Sequence, residues 1–474
     1  MTPRFRNTRS GRLEELEPLE PGHVRVYSCG PTVYAPSHVG NFRAFVFDDL
    51  LVRFLRYRGY RVTWVMNITD VDDRIIQRAA SAGVPIGDLT RPSEALFLEE
   101  WRRLRMTEPD VRPRATEHIP DMVALIERLL ERGHAYRADD GSIFFRIASW
   151  PPYGALAHLD AARQRSTERV LADEYGKDDV RDFALWKAPK PEEPSWDSAI
   201  GPGRPGWHIE CSAMSMRYLG PSFDIHTGGL DLIFPHHEDE IAQSEAATGE
   251  PFVRLWLHNE HLRVSGLKMA KREGNIVTPA ELYASGIEPR ALRYALLAGH
   301  YREPLEFGDE PLRAATSAVE RLSTALAALD GYREPGADAP GLPQILARAR
   351  ADFTAALDDD LNTPPALATV FELTRDLNRR LAQRSLSTAD AQRGAALLRE
   401  LDTVLAVAEA DDEPLPGEAA ALLERRAAAR AARDWATSDR LRDELAAAGI
   451  AVEDTADGQR WRRVGARVGA RVDG

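Results

Sequence analysis

Cysteine is almost missing from this chain: Cys29 and Cys211 are the only two in 474 residues. Two cysteines cannot build a disulfide framework, and thiols kept reduced fit a cytoplasmic setting. No apolar run approaches the roughly 20 residues that cross a bilayer, so no membrane span is expected. The stretch Met1 to Glu20 is polar and charged and lacks the apolar core of a secretory signal. Positive charge is outnumbered, 61 Lys and Arg against 74 Asp and Glu, and the net −13 argues against indiscriminate binding to nucleic acid. A local basic surface stays open, because binding follows where charge lies and not its sum. What is present, 43% apolar and 28% charged residues, is ordinary for a globular enzyme. The chain is too long for one core, so several domains are expected.

Val24–Ser28 reads as a short apolar strand that runs into Cys29 and a Gly-Pro turn. From Asn41 to about Arg58 apolar residues recur at helical spacing (Phe45, Leu50, Phe54, Leu55), and Gly59 closes the segment. Arg61–Asn67 reads as a second buried strand. Strand, helix and strand make a βαβ unit, hence an α/β class with a parallel sheet. Its first half is expected over 1–115 and its second half over 201–250, with a Pro- and Glu-bearing insertion over 116–200 between them. A further region follows over 251–314, then a helical, Ala/Leu/Arg-rich bundle over 315–410. The acidic, proline-bearing stretch Asp411–Gly417 reads as a linker that opens a small final domain, 411–474. Two helical runs are expected there, ending in a disordered Arg-Val-Gly-Ala tail.

Each thiol sits in suggestive company. Cys29 lies just upstream of His38-Val39-Gly40-Asn41, and Cys211 follows Gly206-Trp207-His208-Ile209-Glu210 and precedes Pro235-His236-His237-Glu238-Asp239-Glu240. A free cysteine usually packs as a small hydrophobe. Zinc, however, takes thiolate, imidazole and carboxylate ligands, and Cys29, Cys211, His236 and Glu240 supply all three for one Zn2+ per subunit. His236 and Glu240, four apart on a helix, would point the same way, leaving His237 and Glu238 as support.

Other motifs keep two meanings open. His38–Asn41 at a strand-to-helix junction would offer a phosphate unpaired N–H groups and, at Gly40, close approach; Asn41 would serve equally as a helix cap. Gly228-Gly229-Leu230-Asp231 suits a ribose edge, and it suits a plain turn. Lys268 and Lys271, on the glycine-bounded stretch Gly266–Asn275, can clamp a polyphosphate, although loop charge is usually just solvated. Arg425, Arg426, Arg430 and Arg433 precede Trp435, and Arg460, Arg462 and Arg463 lie near the end. Such residues suit phosphate contact and base stacking, or a helix with a solvated face and one buried Trp.

Taken in order, these motifs resemble the class I aminoacyl-tRNA synthetases, and within them the cysteine-specific members. His38–Asn41 stands where that family has its HIGH signature, and Lys268–Arg272 where it has KMSKS. Cys29–Tyr34, Asn67–Asp73, Gly206–Met214 and Phe234–Glu240 are similar to the cysteine-specific motifs. The likeness continues through Gly299–Arg302 and Asp360–Pro364 to Trp461–Arg463. Asn41 departs from the final histidine of HIGH, and Ala270 and Arg272 depart from the two serines of KMSKS.

The resemblance implies a Rossmann-like parallel-sheet catalytic domain with an inserted connective domain. It places a stem-contact region at 251–314, then an α-helical bundle and a small C-terminal anticodon-binding domain. It implies ATP-dependent activation of L-cysteine and transfer to the 3′-terminal adenosine of the cysteine tRNA. His38, Asn41, Lys268 and Lys271 would be catalytic. His38, Gly40, Asn41, Gly229, Asp231 and Lys271 would hold ATP, whose Mg2+ needs no dedicated protein cage. Tyr27, Gly30, Thr69, Trp207 and His226 would surround the cysteine, with its sulfur on the zinc. Arg430, Trp435 and Asp439 would touch the tRNA. A cytoplasmic monomer is expected.

A pocket alone separates near-isosteres by only about 100-fold, whereas a metal that ionises a thiol disfavours a hydroxyl. Two other readings stay open: a cysteine ligase acting on an amino sugar, and a non-catalytic zinc- and RNA-binding relative. The first should lack a complete anticodon domain; intact His38, Lys268, Lys271 and the four ligands oppose the second.

Overall fold

The computed structural model describes residues 2–159, 181–191, 193–264, 266–269, 274–335, 338–408, 417–448, 450–455 and 458–463. An antiparallel hairpin, β1 (Arg4–Asn7) and β2 (Arg12–Glu15), opens the chain. β3 (His23–Ser28), α1 (Val39–Tyr57) and β4 (Arg61–Met66) then form a βαβ unit, with β3 and β4 paired in parallel. Val39, Phe42, Val46, Leu50 and Phe54 are buried three and four residues apart, the spacing that keeps one face of a helix on a core. Two helices that periodicity alone did not reveal follow, α2 (Asp73–Ala82) and α3 (Ile86–Arg103). Asp72 caps the first of them by accepting from Ile75 N, and Gly83 ends it with a φ of 66° that L side chains avoid.

The expected insertion is a separate layer. α4 (Ile119–Glu131) precedes four antiparallel strands in the order β5 (Ala135–Arg137), β6 (Ile143–Phe145), β7 (Phe183–Lys187) and β8 (Arg204–Pro205). The main sheet then resumes with α5 (Trp207–Leu219), β9 (Phe223–Gly229), α6 (Glu238–Thr248) and β10 (Val253–Asn259). Its order is β10-β9-β3-β4, with every pair parallel. From β3 the chain crosses over to one side and from β9 to the other, so a crevice opens between their carboxyl ends. That is the position at which doubly wound sheets bind ligands.

Alternate residues of each strand serve different cores. Val26, Trp64, Leu255 and Leu257 join a core shared with α1 and the later helices. Tyr27, Val65 and Trp256 join one shared with α4, α5, α6 and the inserted layer.

Beyond β10, β11 (Leu262–Val264), β12 (Leu267–Lys268), α7 (Pro279–Ala284), α8 (Pro289–Leu297) and β13 (Leu305–Glu306) form a small subdomain. The bundle is α9 (Asp309–Asp330), α10 (Leu342–Asp358), α11 (Thr363–Ala382) and α12 (Thr388–Leu405). A buried junction ties it to the sheet. Arg293, fully buried on α8, donates to the Leu405 carbonyl at 2.6 Å and the Leu104 carbonyl at 3.0 Å, and pairs with Asp49 of α1.

The final domain holds α13 (Gly417–Ala431) and α14 (Trp435–Ala447), as expected, and then a hairpin that was not: β14 (Ile450–Thr455) and β15 (Gly458–Arg463). Arg460, Arg462 and Arg463 therefore lie on a strand. Their charge masked the strand pattern in the sequence. The Arg-Val-Gly-Ala tail lies outside the described residues.

Candidate active site

A cleft of about 910 Å³ opens at the crevice between β3 and β9. Cys29, Cys211 and His236 line it together with His38, Gly40, Asn41, Gly229, Asp231 and Lys268. The two halves of the sheet thus bring together motifs that are far apart in sequence.

At the floor, Cys29 follows β3 directly, and Gly30 lets the chain pass close against the Asn67 backbone. A Cβ on Gly30 would lie 1.6 Å from the Asn67 carbonyl oxygen, so no other residue fits. The Gly30 N–H donates to Asn67 Oδ1 at 2.9 Å. Cys211 sits one turn into α5. His236 belongs to the kinked segment Ile233–His237, in which Phe234 is extended (φ −136°, ψ 131°), and that segment feeds α6. Glu240 lies in the first turn of α6.

The sulfurs of Cys29 and Cys211 are 3.9 Å apart, Cys29 Sγ is 3.9 Å from Glu240 Oε1, and His236 Nε2 is 3.1 Å from Glu240 Oε1. A tetrahedral zinc with Zn–S bonds near 2.3 Å separates two sulfurs by about 3.8 Å. The sulfur spacing therefore fits that ion, and the carboxylate and imidazole stand close enough to complete the set.

A second group, Cys29, His226, His237 and Glu240, also brings its donor atoms within 4.8 Å of one another. Chemistry and access favour the first. It offers two soft thiolates instead of one, and three of its members line the cleft, whereas neither His226 nor His237 does. A site that takes a substrate must keep one face open.

The rest of the histidine cluster supports the ligands. His236 Nδ1 is 2.9 Å from His208 Nδ1, and His208 Nε2 is 3.2 Å from Asp239 Oδ2, the outer partnership that orients a ligating imidazole. His237 Nδ1 meets His258 Nε2 at 2.7 Å, and His258 Nδ1 meets Thr8 Oγ1 at 2.7 Å. Glu238 accepts from Gly154, Leu156 and Ala157 N–H groups and so clamps the inserted layer. His208 fell inside a motif of the sequence without a role of its own, and His258 carried no signal beyond its type.

Charge at the floor is polarised. Cys211 is drawn down to about 6, first by a hydrogen bond from Cys29. Burial, then Cys211, push Cys29 well above the usual thiol range. Burial would lower His236, but Glu240 and Cys211 outweigh it and hold it at about 10. Burial would raise Glu240, but His226 and His236 hold it at about 2. Without metal, the floor carries a thiolate and a carboxylate around an imidazolium.

The expected cysteine pocket divides. Gly30, Thr69 and Trp207 line the cleft. Trp207 is 40% exposed and stacks on the His236 ring at 4.4 Å, and Thr69 Oγ1 donates to Glu210 at 3.2 Å. Tyr27 and His226 are wholly buried and absent from that lining. His226 Nε2 meets Glu240 Oε2 at 3.0 Å, and its ring stacks on Trp256. Both residues lie beneath the floor, because side chains of adjacent strands at this level face the lower core.

Where α1 starts at the cleft, Asn41 Oδ1 accepts from His38 N at 3.0 Å, so Asn41 caps α1 as well as lining the cleft. Val39 N donates to the Val277 carbonyl at 2.9 Å, which uses one amide of the helix terminus. A Cβ on Gly40 would lie 3.0 Å from the His38 ring and 3.6 Å from Met269 Sδ, so the two signature segments meet there. Lys268 Nζ is 3.5 Å from Asp231 Oδ2 and 3.1 Å from His261 Nε2. Lys271, Ala270 and Arg272 lie outside the described residues.

In the final domain the Arg430 guanidinium stands 5.5 Å over the Trp435 ring, and Trp435 is 55% exposed. Asp439 pairs with Arg442 at 3.6 Å. Arg426 is a core residue instead, fully buried and bonded to Asp454 and Gln459.

Solved structures share this architecture. A Mycobacterium tuberculosis methionyl-tRNA synthetase in complex with methionyl-adenylate aligns with a TM-score of 0.58 at 20% identity, over 81% of this chain and 90% of that one. The LeuRS of an Agrobacterium radiobacter LeuRS–tRNA–LeuAMS complex aligns with a TM-score of 0.61 at 13% identity, over 82% and 85%. The fold is that of a class I aminoacyl-tRNA synthetase.

Family models narrow it. The class I (C) tRNA synthetase catalytic domain matches residues 15–317, the DALR domain 352–409, and the cysteinyl-tRNA ligase anticodon binding domain 412–462. A cysteine–tRNA ligase of Alkalilimnicola ehrlichii is 50% identical over 467 residues, covering 96% of this chain and 99% of its own. One from Solibacter usitatus is 47% identical, covering 98% and 100%. The chain belongs to the cysteine–tRNA ligase family. Among the described residues, no helix is long and apolar enough to cross a membrane.

Proposed function

We propose that this chain activates L-cysteine with ATP and esterifies it to the cysteine tRNA. A cysteine carboxylate oxygen attacks the α-phosphorus, and the bond to pyrophosphate breaks. A ribose hydroxyl of the terminal adenosine then attacks the acyl carbon, and AMP leaves. Neither step needs a protein nucleophile, because such chemistry runs on positioning and charge stabilisation.

The observation that carries this reading is a two-thiol, one-imidazole, one-carboxylate set at the floor of a nucleotide-sized cleft. Zinc held there by Cys29, Cys211, His236 and Glu240 would supply a seat that favours an ionised sulfur over a serine hydroxyl. Trp207 walls that seat by stacking on His236, and Thr69 offers a hydroxyl beside it. Tyr27 and His226 would set the floor's charge from below. Gly229 and Asp231 would face the adenosine, and His38, Gly40 and Asn41 the triphosphate. Lys268 and Lys271 would neutralise the charge that develops as pyrophosphate departs, and Mg2+ would arrive with ATP.

The anticodon-type domain matched at 412–462 favours a tRNA acceptor over an amino sugar. There Arg430 and the exposed Trp435 would contact phosphate and base, with Asp439 nearby. Cysteine-dependent exchange of pyrophosphate into ATP, followed by charging of cysteine tRNA, tests the reading. Exchange that serine supports equally well would refute it.

A further inference from the structure

A line of hydrogen bonds leaves the floor of the cleft and ends on the first hairpin, in a residue to which no role has yet fallen. Cys29 Sγ is 3.4 Å from His237 Nε2, His237 Nδ1 is 2.7 Å from His258 Nε2, and His258 Nδ1 is 2.7 Å from Thr8 Oγ1. Both rings are buried, Thr8 is half-buried, and Thr8 does not line the cleft.

The backbone holds each member of this line in place. A Cβ on Gly228 would lie 2.6 Å from the His237 ring, so that glycine makes the room in which the ring reaches Cys29. His258 stands opposite Gly228 on the neighbouring strand, β10. At the far end, Thr8 N donates to the Trp256 carbonyl at 2.8 Å. Asn7 beside it accepts from Trp256 N at 3.1 Å and donates to the Arg254 carbonyl at 2.9 Å. The end of the hairpin strand is thus pinned to β10, with its hydroxyl against His258.

The direction of the line follows from its protons. A cysteine that binds a metal has lost its own proton and can only accept. Burial, the leading influence on both imidazoles, keeps them neutral, so each carries one N–H. With the His237 proton on Nε2 facing Cys29, His237 Nδ1 must accept, and His258 Nε2 must donate to it. His258 Nδ1 is then an acceptor as well. It needs a donor, and the Thr8 hydroxyl is the group that faces it.

We propose that Thr8 is a positioning residue for the metal seat, whose hydroxyl fixes the tautomers of His258 and His237 and so aims the His237 N–H at the Cys29 sulfur. This deepens the functional reading above and rests on it. A hydrogen bond to a ligating sulfur draws charge from it. The metal then keeps more of its affinity for a further sulfur, that of the substrate.

The test compares the full-length protein with Thr8→Val, which keeps the shape without the hydroxyl, and Thr8→Ser, which keeps the hydroxyl. Cobalt replaces zinc, and its thiolate charge-transfer band is read beside cysteine-dependent pyrophosphate exchange. In Thr8→Val the band should move to longer wavelength, because a sulfur without its hydrogen bond gives up charge more readily. Metal affinity should fall about tenfold, the usual cost of losing an outer partner. The KM for cysteine should rise by about the same factor while the KM for ATP stays unchanged. Thr8→Ser should restore all of these. On a His258→Phe background, where the line is already cut, Thr8→Val should add no further loss. An unmoved band in Thr8→Val would overturn the proposal, and so would equal losses in Thr8→Val and Thr8→Ser. Losses that add to those of His258→Phe would make Thr8 a packing residue and overturn it too. Should Thr8→Val fail to fold, Thr8→Ala makes the same comparison. Absence of cysteine-dependent exchange in the unmodified protein would sink the functional reading instead, and the cobalt band would still decide the role of Thr8.

Discussion

Zinc uptake by metal-free protein should release about two protons per chain at pH 9, where four unperturbed groups would release about one. The difference comes from the floor of the cleft. His236, held at about 10 with Glu240 beside it, is still about nine-tenths protonated at pH 9. Cys29, raised well above 9.0, is also protonated. Cys211 at about 6 and Glu240 at about 2 are already ionised. All four must be deprotonated to bind a metal, so about two protons leave. With the groups at their ordinary values, the imidazole would be neutral and two thiols at 9.0 would give up about half a proton each.

Titration calorimetry at pH 9, with zinc supplied from a weak chelator in buffers of different ionisation enthalpy, reads the number directly. Glu240→Gln removes the strongest influence that retains the His236 proton and should lower the count towards one. Release of about one proton by the unmodified protein would refute the thiolate–imidazolium arrangement. Cobalt in place of zinc should give a thiolate charge-transfer band that falls by about half in Cys211→Ser, since two sulfurs bind in the favoured set and one in the alternative. An undiminished band would assign the metal to Cys29, His226, His237 and Glu240.

Three further outcomes are expected. Lys271→Ala should slow cysteine activation by orders of magnitude with little change in cysteine affinity, and Lys268→Ala should cost less; pre-steady-state adenylate formation separates the two, and a rise confined to the KM for ATP would make Lys271 a ground-state contact only. Trp435→Ala should weaken tRNA binding by about 1–3 kcal/mol, the worth of one stacked base, and leave pyrophosphate exchange unchanged, whereas unaltered tRNA affinity would remove that ring from the interface. Arg293→Met leaves Asp49 buried with Arg53 as its remaining cation and should destabilise the body by about 3–5 kcal/mol, seen as a lower urea midpoint; a change below 1 kcal/mol would mean that the junction is not carrying α12.

The parallel sheet and the four candidate ligands were legible because each leaves a local mark. A βαβ unit shows as a strand, a 3.6-residue period and a strand, and metal ligands belong to few residue types. What escaped depends on tertiary arrangement. Whether Tyr27 and His226 stand on the floor or under it turns on which sheet face each strand residue takes, and a sequence window does not give that. His261 meets Lys268 only because β11 and β12 pair, and Tyr34 meets Arg74 and Arg78 only because the segments that follow β3 and β4 run side by side. The β14–β15 hairpin escaped for another reason: arginine dominates its second strand, and pattern reading takes such composition for a solvated tail. Arg426 misled in the opposite direction, since a helix rich in alanine and arginine gave no sign that one of its cations fills the core.

The two thiols are 182 residues apart, and β3 cannot take β9 as its neighbour until that interval has been made. At about 5–20 residues per second, synthesis leaves Cys29 waiting some 10–35 s for its partner. During that time an emerging chain presents Cys29 without Cys211, His236 or Glu240. Metal capture at that set would therefore be a late event in the life of each molecule, coupled to closure of the sheet. A nascent chain that stalls before α5 holds only one of the four candidate ligands, so loading by the ion would mark those copies whose central strands have found their order.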